Sequence, residues 1–341
     1  LDPVQATFPS ADRVVVHVVD DAGAALAGAA VVVSQTGTDL FSTTTGSDGN
    51  ALFFPSRDGA MASGAFDVSA SAGGHTGQLT SATGTTWSVT VTGATAAAPA
   101  ALDVAVVLDT TGSMGDELSY LQAEVGAISS SLANEFPGVS VRYGLVLYRD
   151  QNMGDAYTTR SFDFTSSFSS FQANLQAQGA DGGGDTPEAV ELGLKGMNAL
   201  SWRGGNVARV AFLIGDAPPH SSNGDAYFAQ IDAARDLGVH LYPIGASGVD
   251  DDAEYFFRAG AEATGGRYLF LTDDSGVGGS HQAPHFWCYD VEKLELQMER
   301  MIAAELTGQV APPRAADVIR AVGDPMNGVC VNQTLGNAFI Y

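Results

Sequence analysis

Between residues 102 and 306 the sequence alternates short apolar runs with stretches in which apolar residues recur every three or four positions. The first pattern is typical of β-strands and the second of amphipathic helices. Leu102 to Leu108 is an almost continuous apolar run, as expected for a strand that is buried on both faces. Strands that alternate with helices predict an α/β fold, with a doubly wound, mostly parallel sheet covered by helices on both faces.

We predict five strands and five helices in this region. The strands are expected at 102–108, 139–147, 207–214, 239–244 and 267–271, and the helices at 116–134, 187–200, 224–237, 252–263 and 290–306. In a doubly wound sheet, ligands bind at the carboxyl ends of the strands where the winding reverses. The chemistry of this region is therefore expected in the loops that follow the strands.

Residues 12–93 have a different pattern, in which short β-branched segments are separated by Gly, Asp and Ser turns. This pattern predicts an all-β sandwich. A small, proline-ended stretch at 93–100 is a plausible linker, so we divide the chain into a sandwich domain at 1–99, an α/β domain at 100–308 and a tail at 309–341. The motif Asp20-x-x-Gly23-x-x-Leu26-x-Gly28-Ala29 and the turn 47–51 resemble the carboxypeptidase-regulatory or transthyretin-like sandwich. That resemblance implies a spacer or stalk module.

The charge balance narrows the choice of partners. The chain has 39 acidic residues and 15 basic ones, which gives a net charge of −24. Such a polyanion repels nucleic acid and anionic lipid, so neither is expected as a partner. Most of the acids are aspartates, and Asp-rich loops favour hard cations. General solubility or a saline habitat is the alternative explanation of the excess.

The tail contains one of the only two cysteines, Cys288 and Cys330. These residues either form one bridge that ties the tail to the preceding domain or remain two free, buried thiols. We predict a helix at 315–322 and an extended segment at 329–331. No apolar run reaches the roughly 18 residues that a membrane-spanning helix needs.

Three loops at predicted strand ends combine acidic and hydroxyl residues. The loops are 109–113, directly after the central apolar strand, 182–188, just before a helix, and 214–220, directly after another strand. Carboxylate and hydroxyl oxygens suit the octahedral coordination of Mg²⁺. One such loop alone is ordinary turn chemistry, but three at strand ends of one domain indicate a metal site.

These loops resemble those of the von Willebrand factor A family. Asp109, Thr111 and Ser113 match its Asp-x-Ser/Thr-x-Ser metal-ion-dependent adhesion site, and Asp216 matches the distal aspartate of that site. The likeness covers roughly residues 101–308 and is strongest with secreted or surface members from bacteria. It implies a bound Mg²⁺ or Mn²⁺ with one open coordination position, which a carboxylate of a partner completes.

The second loop reads Asp185-Thr186-Pro187-Glu188, where many A domains supply a threonine. It resembles the Asp-x-Pro-Glu loop of integrin beta subunits, which implies that Glu188 is a metal ligand, with Thr186 as the fallback. Integrin beta subunits also have two flanking metal sites. Four residues stand at the corresponding positions and are candidates for a flanking Ca²⁺: Asp116, Glu117, Asp150 and Asp185. The match is incomplete, because Gly183 replaces an asparagine, and the alternative is acids that favour a helix N-terminus.

From these residues we expect a secreted or cell-surface protein that binds or adheres to a protein ligand through a metal ion. The alternative is a structural or assembly subunit of a surface complex, whose metal only stabilises the loops. An enzyme is not expected, because a metal-activated water needs a nearby base and His220 is the only candidate.

Overall fold

The computed structural model describes residues 7–151, 154–184, 186–274, 285, 288–323, 329–331 and 338–340, the last two ranges as backbone only. The N-terminal region consists of strands β1 (Val14–Val19), β2 (Ala30–Gln35), β3 (Thr38–Thr44), β4 (Asn50–Phe53), β5 (Phe66–Ala72), β6 (His75–Ala82) and β7 (Thr86–Thr90). They form two sheets with the strand orders β4-β1-β7 and β3-β2-β5-β6.

The two N-terminal sheets share one cluster of buried side chains. Val16, Phe53 and Trp87 enter it from the first sheet, and Val31 and Val68 enter it from the second. The β-structure predicted from the turn spacing is therefore confirmed, although the prediction omitted β6. Its likeness to the carboxypeptidase-regulatory family stays a prediction.

The second region contains a six-stranded sheet with the order β10-β9-β8-β11-β12-β13. Its strands are β8 (Ala101–Asp109), β9 (Ser140–Tyr148), β10 (Thr159–Thr165), β11 (Ala208–Gly215), β12 (His240–Gly245) and β13 (Leu269–Phe270). Neighbouring strands are parallel except β10, which pairs with β9 in the antiparallel sense. The chain winds from β8 first towards β10 and then back through β11, so the winding reverses between β8 and β11.

Helices cover both faces of this sheet, and their bounds are α1 (Gly115–Glu135), α2 (Phe168–Gln176), α3 (Val190–Asn198), α4 (Gly224–Asp236), α5 (Asp251–Thr264) and α6 (Leu294–Thr307). One buried cluster joins the sheet to α1, α2 and α6, and another joins its opposite face to α3, α4 and α5. The sheet side chains alternate between the clusters because successive strand residues point to opposite faces. The predicted doubly wound α/β fold is confirmed.

Two predicted segments differ from the structure. Residues 159–176 form β10 and α2, which the periodicity did not indicate. The helix predicted at 315–322 is wrong: Arg320–Val322 is strand β15, which pairs antiparallel with β14 (Tyr289–Val291). The alanines of this segment favour a helix, but backbone pairing with a neighbouring strand outweighs that intrinsic preference. The extended segment Val329–Val331 is confirmed as β16, which pairs with β17 (Ala338–Ile340).

Arg235 of α4 fastens the N-terminal sheets to the α/β region. Its guanidinium lies 4.7 Å from the ring centroid of Phe41 and 4.8 Å from that of Phe54. It also makes an ion pair of 2.9 Å with Asp58 and one of 3.0 Å with Asp232. Only 4% of Arg235 is exposed, so the contact between the two regions is built around a buried charge network.

The structure also bears on the predictions about the cysteines and about membrane-spanning helices. Cys288 is disulfide-bonded, so the alternative of free thiols is wrong. The chain has one other cysteine, Cys330, whose side chain lies outside the described residues. In the part of the chain that the structure describes, every helix is too short or too polar to cross a membrane.

Candidate metal centre

Three loops meet at the carboxyl edge of the sheet, beside the ends of β8 and β11. The amide of Gly112, after β8, donates to the carbonyl of Gly182 at 3.1 Å, and the amide of Asp181 donates to the carbonyl of Thr110 at 3.1 Å. The amide of Glu188 donates to the carbonyl of Pro218 at 3.0 Å. Backbone hydrogen bonds thus bring together the three loops that the sequence predicted, at the point where the winding reverses.

Asp109, Thr111 and Ser113 form a hydrogen-bonded row at the end of β8. The Asp109 Oδ1 atom accepts from both the amide and the hydroxyl of Thr111, each at 2.8 Å. The Thr111 and Ser113 hydroxyl oxygens lie 3.4 Å apart. The Ser113 hydroxyl donates to the carboxylate of Asp216, which follows β11. The four side chains are therefore linked to one another across the two strand ends.

The carboxylates of this row are buried without full compensation. Asp109 is 0% exposed and Asp216 is 9% exposed. Within the described residues, Asp109 Oδ2 and Asp216 Oδ1 have no hydrogen-bond partner. A buried carboxylate oxygen without a partner is costly, and such atoms call for an ion or water that satisfies them.

The pKa values of both aspartates reflect this shortage of positive charge. Burial, followed by repulsion from Asp216, raises the pKa of Asp109 to about 7. Burial is also the main cause that raises the pKa of Asp216, while the hydrogen bond from Ser113 opposes the rise. A cation between the two carboxylates would remove both causes, because it would neutralise the repulsion and replace the lost hydration.

Glu188 comes to the same edge from the loop that precedes α3. Only 4% of Glu188 is exposed. A side-chain carbon at Gly183 would lie 3.1 Å from Glu188 Oε1 and 3.1 Å from Thr111 Cβ, so both side chains border the space in front of this glycine. Thr186, the fallback ligand, is exposed, and Asp185 lies outside the described residues.

The candidates for a flanking site have separate environments. Asp116 is exposed, whereas Glu117 is 0% exposed and accepts from the amide of Ser247 at 3.0 Å. Asp150 is 1% exposed, and its Oδ1 atom lies 2.6 Å from Nε2 of His220. The described residues contain no group of three or more His, Cys, Asp and Glu side chains that could hold a metal ion. A metal at this edge therefore needs the hydroxyls of Thr111 and Ser113, or water, beside the carboxylates.

Two residues that the sequence analysis missed organise the loops around Asp109. Arg149 is 6% exposed, and its Nη2 atom donates to the carbonyl of Gly179 at 3.0 Å. The hydroxyls of Tyr157 and Thr110 lie 2.8 Å apart. An arginine directly after the buried run of β9, in a chain with few cations, was the signal that could have revealed this role.

Comparison with known proteins finds a family model that matches part of the α/β region. Residues 103–239 match the family model described as von Willebrand factor A domain. An ariadne-like RING finger protein of Acanthamoeba polyphaga mimivirus is 29% identical over 190 residues, which are 50% of this chain and 18% of that protein. The alpha-protein kinase vwkA of Dictyostelium discoideum is 26% identical over 121 residues, which are 36% of this chain and 19% of that protein. The chain thus spans less than a fifth of the length of these relatives.

Solved structures give weaker likenesses. The pilus adhesin SpaC from Lactobacillus rhamnosus GG aligns with a TM-score of 0.41 and 15% identity over 62% of this chain and 30% of the adhesin. The conserved hypothetical protein BatB from Bacteroides thetaiotaomicron aligns with a TM-score of 0.40 and 13% identity over 61% of this chain and 97% of that protein. At these TM-scores neither structure bears on function. The family match and the doubly wound sheet together support a von Willebrand factor A domain in this part of the chain.

Proposed function

We propose that the A domain is a metal-dependent adhesion or ligand-binding module. The observation that carries this proposal is a pair of buried carboxylate oxygens, Asp109 Oδ2 and Asp216 Oδ1, that have no hydrogen-bond partner among the described residues. They lie beside the linked hydroxyls of Thr111 and Ser113. Two carboxylates and two neutral hydroxyls are a suitable oxygen set for Mg²⁺ or Mn²⁺. The bound ion would supply a positive, electrophilic centre that attracts an anionic group of a partner.

Each proposed ligand has a distinct role. Asp109 and Asp216 contribute negative charge, directly or through water, and thereby retain the ion. Thr111 and Ser113 contribute neutral oxygens, so the ion keeps part of its charge for a partner. Glu188, close to Thr111 across Gly183, adds a third negative charge. That charge weakens the attraction for acidic partners relative to a domain with threonine in this loop.

A protein ligand with an exposed Asp or Glu carboxylate is the proposed partner, and a secreted or cell-surface location follows from an adhesive role. The net charge of −24 repels an anionic partner. A bound metal ion would provide a local positive site that attracts one. Nucleic acid is not proposed as a partner, because it carries the same sign of charge as the chain.

For a flanking Ca²⁺, the Asp150 environment gives little support. The imidazole of His220 already occupies Asp150 Oδ1 at 2.6 Å, and Gly183 has no side-chain oxygen to offer. Glu117 has an oxygen, Oε2, without a hydrogen-bond partner among the described residues, while its other oxygen accepts from Ser247. Asp150 Oδ2 likewise has no hydrogen-bond partner among the described residues, so this observation does not separate the two candidates. Asp116, the exposed acid beside Glu117, is the reason to prefer that position for a flanking site.

We infer binding and not catalysis because a hydrolytic reaction at a metal needs a base that is free to take a proton from water. His220 is the histidine of these loops, and its Nε2 atom pairs with Asp150, which leaves only Nδ1 to take a proton. A screen that detects metal-dependent esterase, peptidase or phosphatase activity, lost in Asp109→Ala, would contradict this inference.

Titration calorimetry with Mn²⁺ tests the proposed function. The wild-type chain is expected to bind Mn²⁺, and Asp109→Ala is expected to lose that binding while its circular dichroism spectrum is retained. Asp39→Ala is the matched control, because Asp39 is an exposed aspartate of the N-terminal region. Absence of Mn²⁺, Mg²⁺ and Ca²⁺ binding by the wild-type chain would overturn the proposal. If added metal raises the melting temperature but does not change the binding of acidic peptides, the alternative is favoured, in which the metal only stabilises the loops of an assembly subunit.

A further inference from the structure

Tyr157 lies between two arginines beside the candidate metal centre. The guanidinium carbon of Arg149 is 4.7 Å from the Tyr157 ring centroid, and that of Arg160 is 4.3 Å from it. Both distances are within the range of attractive contacts between a cation and an aromatic ring. The three side chains form a stack, which we call the Arg149–Tyr157–Arg160 stack.

The stack is joined to the loop that carries the metal-binding hydroxyls. The Tyr157 hydroxyl lies 2.8 Å from the hydroxyl of Thr110, which is next to Thr111. Arg149 is buried, and its Nη2 atom donates to the carbonyl of Gly179. Its Nη1 atom lies 4.0 Å from the carboxylate of Asp155. Its charge is therefore committed inside the protein, and Arg160 is the outer cation of the stack.

The strand register places Arg160 close to the metal centre. Tyr148 is paired with Asp109 on one side and with Thr159 on the other, so these three residues lie in one row across β8, β9 and β10. Neighbouring strands are about 4.8 Å apart, so Thr159 is roughly 10 Å from Asp109 along that row. Arg160 follows Thr159 on this outer strand and pairs with Leu147, so it lies one residue further from the carboxyl edge of the sheet.

Arg160 is available to a partner. It is exposed on the edge strand β10, and Nη1 donates to Gln178 Oε1 at 3.1 Å. Its other N–H groups have no hydrogen-bond partner among the described residues. Stacking on Tyr157 restricts the side chain, so less rotamer entropy is lost when the guanidinium binds a carboxylate.

We propose that Arg160 is a second, specificity-determining contact for an acidic protein partner, an inference that rests on the proposed function. One carboxylate of the partner completes the coordination of the metal, and a second carboxylate of the same segment binds the Arg160 guanidinium. The backbone of Thr159, next to Arg160, is roughly 10 Å from that of Asp109, and an extended segment rises about 3.3 Å per residue. The second acid is therefore expected about two to five residues away, because the length of the arginine side chain widens the range. The partner is thus a segment with two spaced acids and not a single exposed carboxylate.

The probe is a set of fluorescent Gly/Ser peptides of about ten residues. One peptide has a single central Glu, and the others have a second Glu at increasing distances from it. Binding is measured by fluorescence anisotropy with Mn²⁺ present and with EDTA. We expect the second Glu at the favourable spacing to tighten Mn²⁺-dependent binding roughly two- to fivefold, as for an exposed ion pair.

Arg160→Gln should abolish this gain and leave binding of the single-Glu peptide and of Mn²⁺ unchanged. Arg314→Gln is the matched control, because Arg314 is an exposed arginine in the tail, and it should keep the full gain. Arg160→Glu should bind the two-Glu peptide more weakly than the single-Glu peptide.

An equal gain in wild type and Arg160→Gln would overturn the inference and leave the proposed function intact. If the wild-type chain does not bind Mn²⁺, or does not bind the single-Glu peptide when Mn²⁺ is bound, the proposed function is overturned and the inference with it.

Discussion

The shortage of positive charge around Asp109 predicts that one substitution stabilises the metal-free protein. In Asp109→Asn, the side-chain oxygen still accepts from the amide and hydroxyl of Thr111, which Asp109 Oδ1 does at 2.8 Å. The new amide group replaces Oδ2, which has no partner among the described residues, and it faces the carboxylate of Asp216. The substitution thus exchanges a repulsive, buried charge for a neutral donor.

The size of the effect follows from the pKa of Asp109. Burial and Asp216 raise that pKa to about 7 from the ordinary 3.8. An acid whose folded pKa is raised costs stability as the pH rises through the interval between the two values, because the unfolded state releases its proton there while the folded state retains it. At about 1.4 kcal/mol per pH unit, the free energy of unfolding should fall by about 4 kcal/mol across the interval. Asp109→Asn has no such proton to lose.

Urea denaturation in EDTA measures the prediction directly. Asp109→Asn should be more stable than wild type by about 1.5 kcal/mol near pH 5 and by about 4 kcal/mol near pH 8.5, so its advantage should grow with pH. Asp39→Asn controls for the loss of one negative charge from a chain of net charge −24. A difference between Asp109→Asn and wild type that does not change with pH would refute the reasoning.

Two further predictions concern ion pairs away from the candidate metal centre. Arg235→Leu should lower the free energy of unfolding by about 3–5 kcal/mol in urea, because the buried carboxylate of Asp58 loses its partner; wild-type stability in the variant would contradict the assignment. Burial of the His240 ring opposes its charge, but Glu305, 2.6 Å from Nδ1, outweighs burial and raises the pKa of His240. His240→Gln should therefore be less stable than wild type by about 1–3 kcal/mol near pH 6, and the deficit should shrink as the pH rises through the raised folded pKa; a constant deficit would exclude the ion pair.

The sequence was sufficient for five of the six strands of the sheet and for the row of residues at its edge. The apolar runs of β8 and β11 end where Asp109 and Asp216 begin, and parallel strands bring their carboxyl ends to the same edge. Burial on both faces leaves a continuous apolar signal that periodicity detects readily. The predicted convergence of the three loops depended on that signal alone.

The segment after β9 could not be predicted in the same way. β10 is an edge strand with mostly exposed or half-buried side chains, so it lacks a continuous apolar run. Arg149 and Tyr157 act through contacts with residues distant in sequence, such as Gly179 and Thr110. No local pattern encodes such contacts, because tertiary packing determines them.

The pairing of Asp150 with His220 was missed for the same reason. The sequence placed Asp150 at a flanking metal position and His220 in another loop, 70 residues away. Only the fold brings the two side chains within 2.6 Å of each other. A hydrogen bond between two residues so far apart in the sequence has no signature in their spacing.

The most direct test of the metal centre is a crystal of the whole chain soaked in Mn²⁺ and measured near the manganese absorption edge. The account predicts an anomalous peak within coordination distance of Asp109, Thr111, Ser113 and Asp216, at the carboxyl edge between β8 and β11. The absence of an anomalous peak at this position in the structure, or a manganese ion bound only at Asp150, would contradict the central claim.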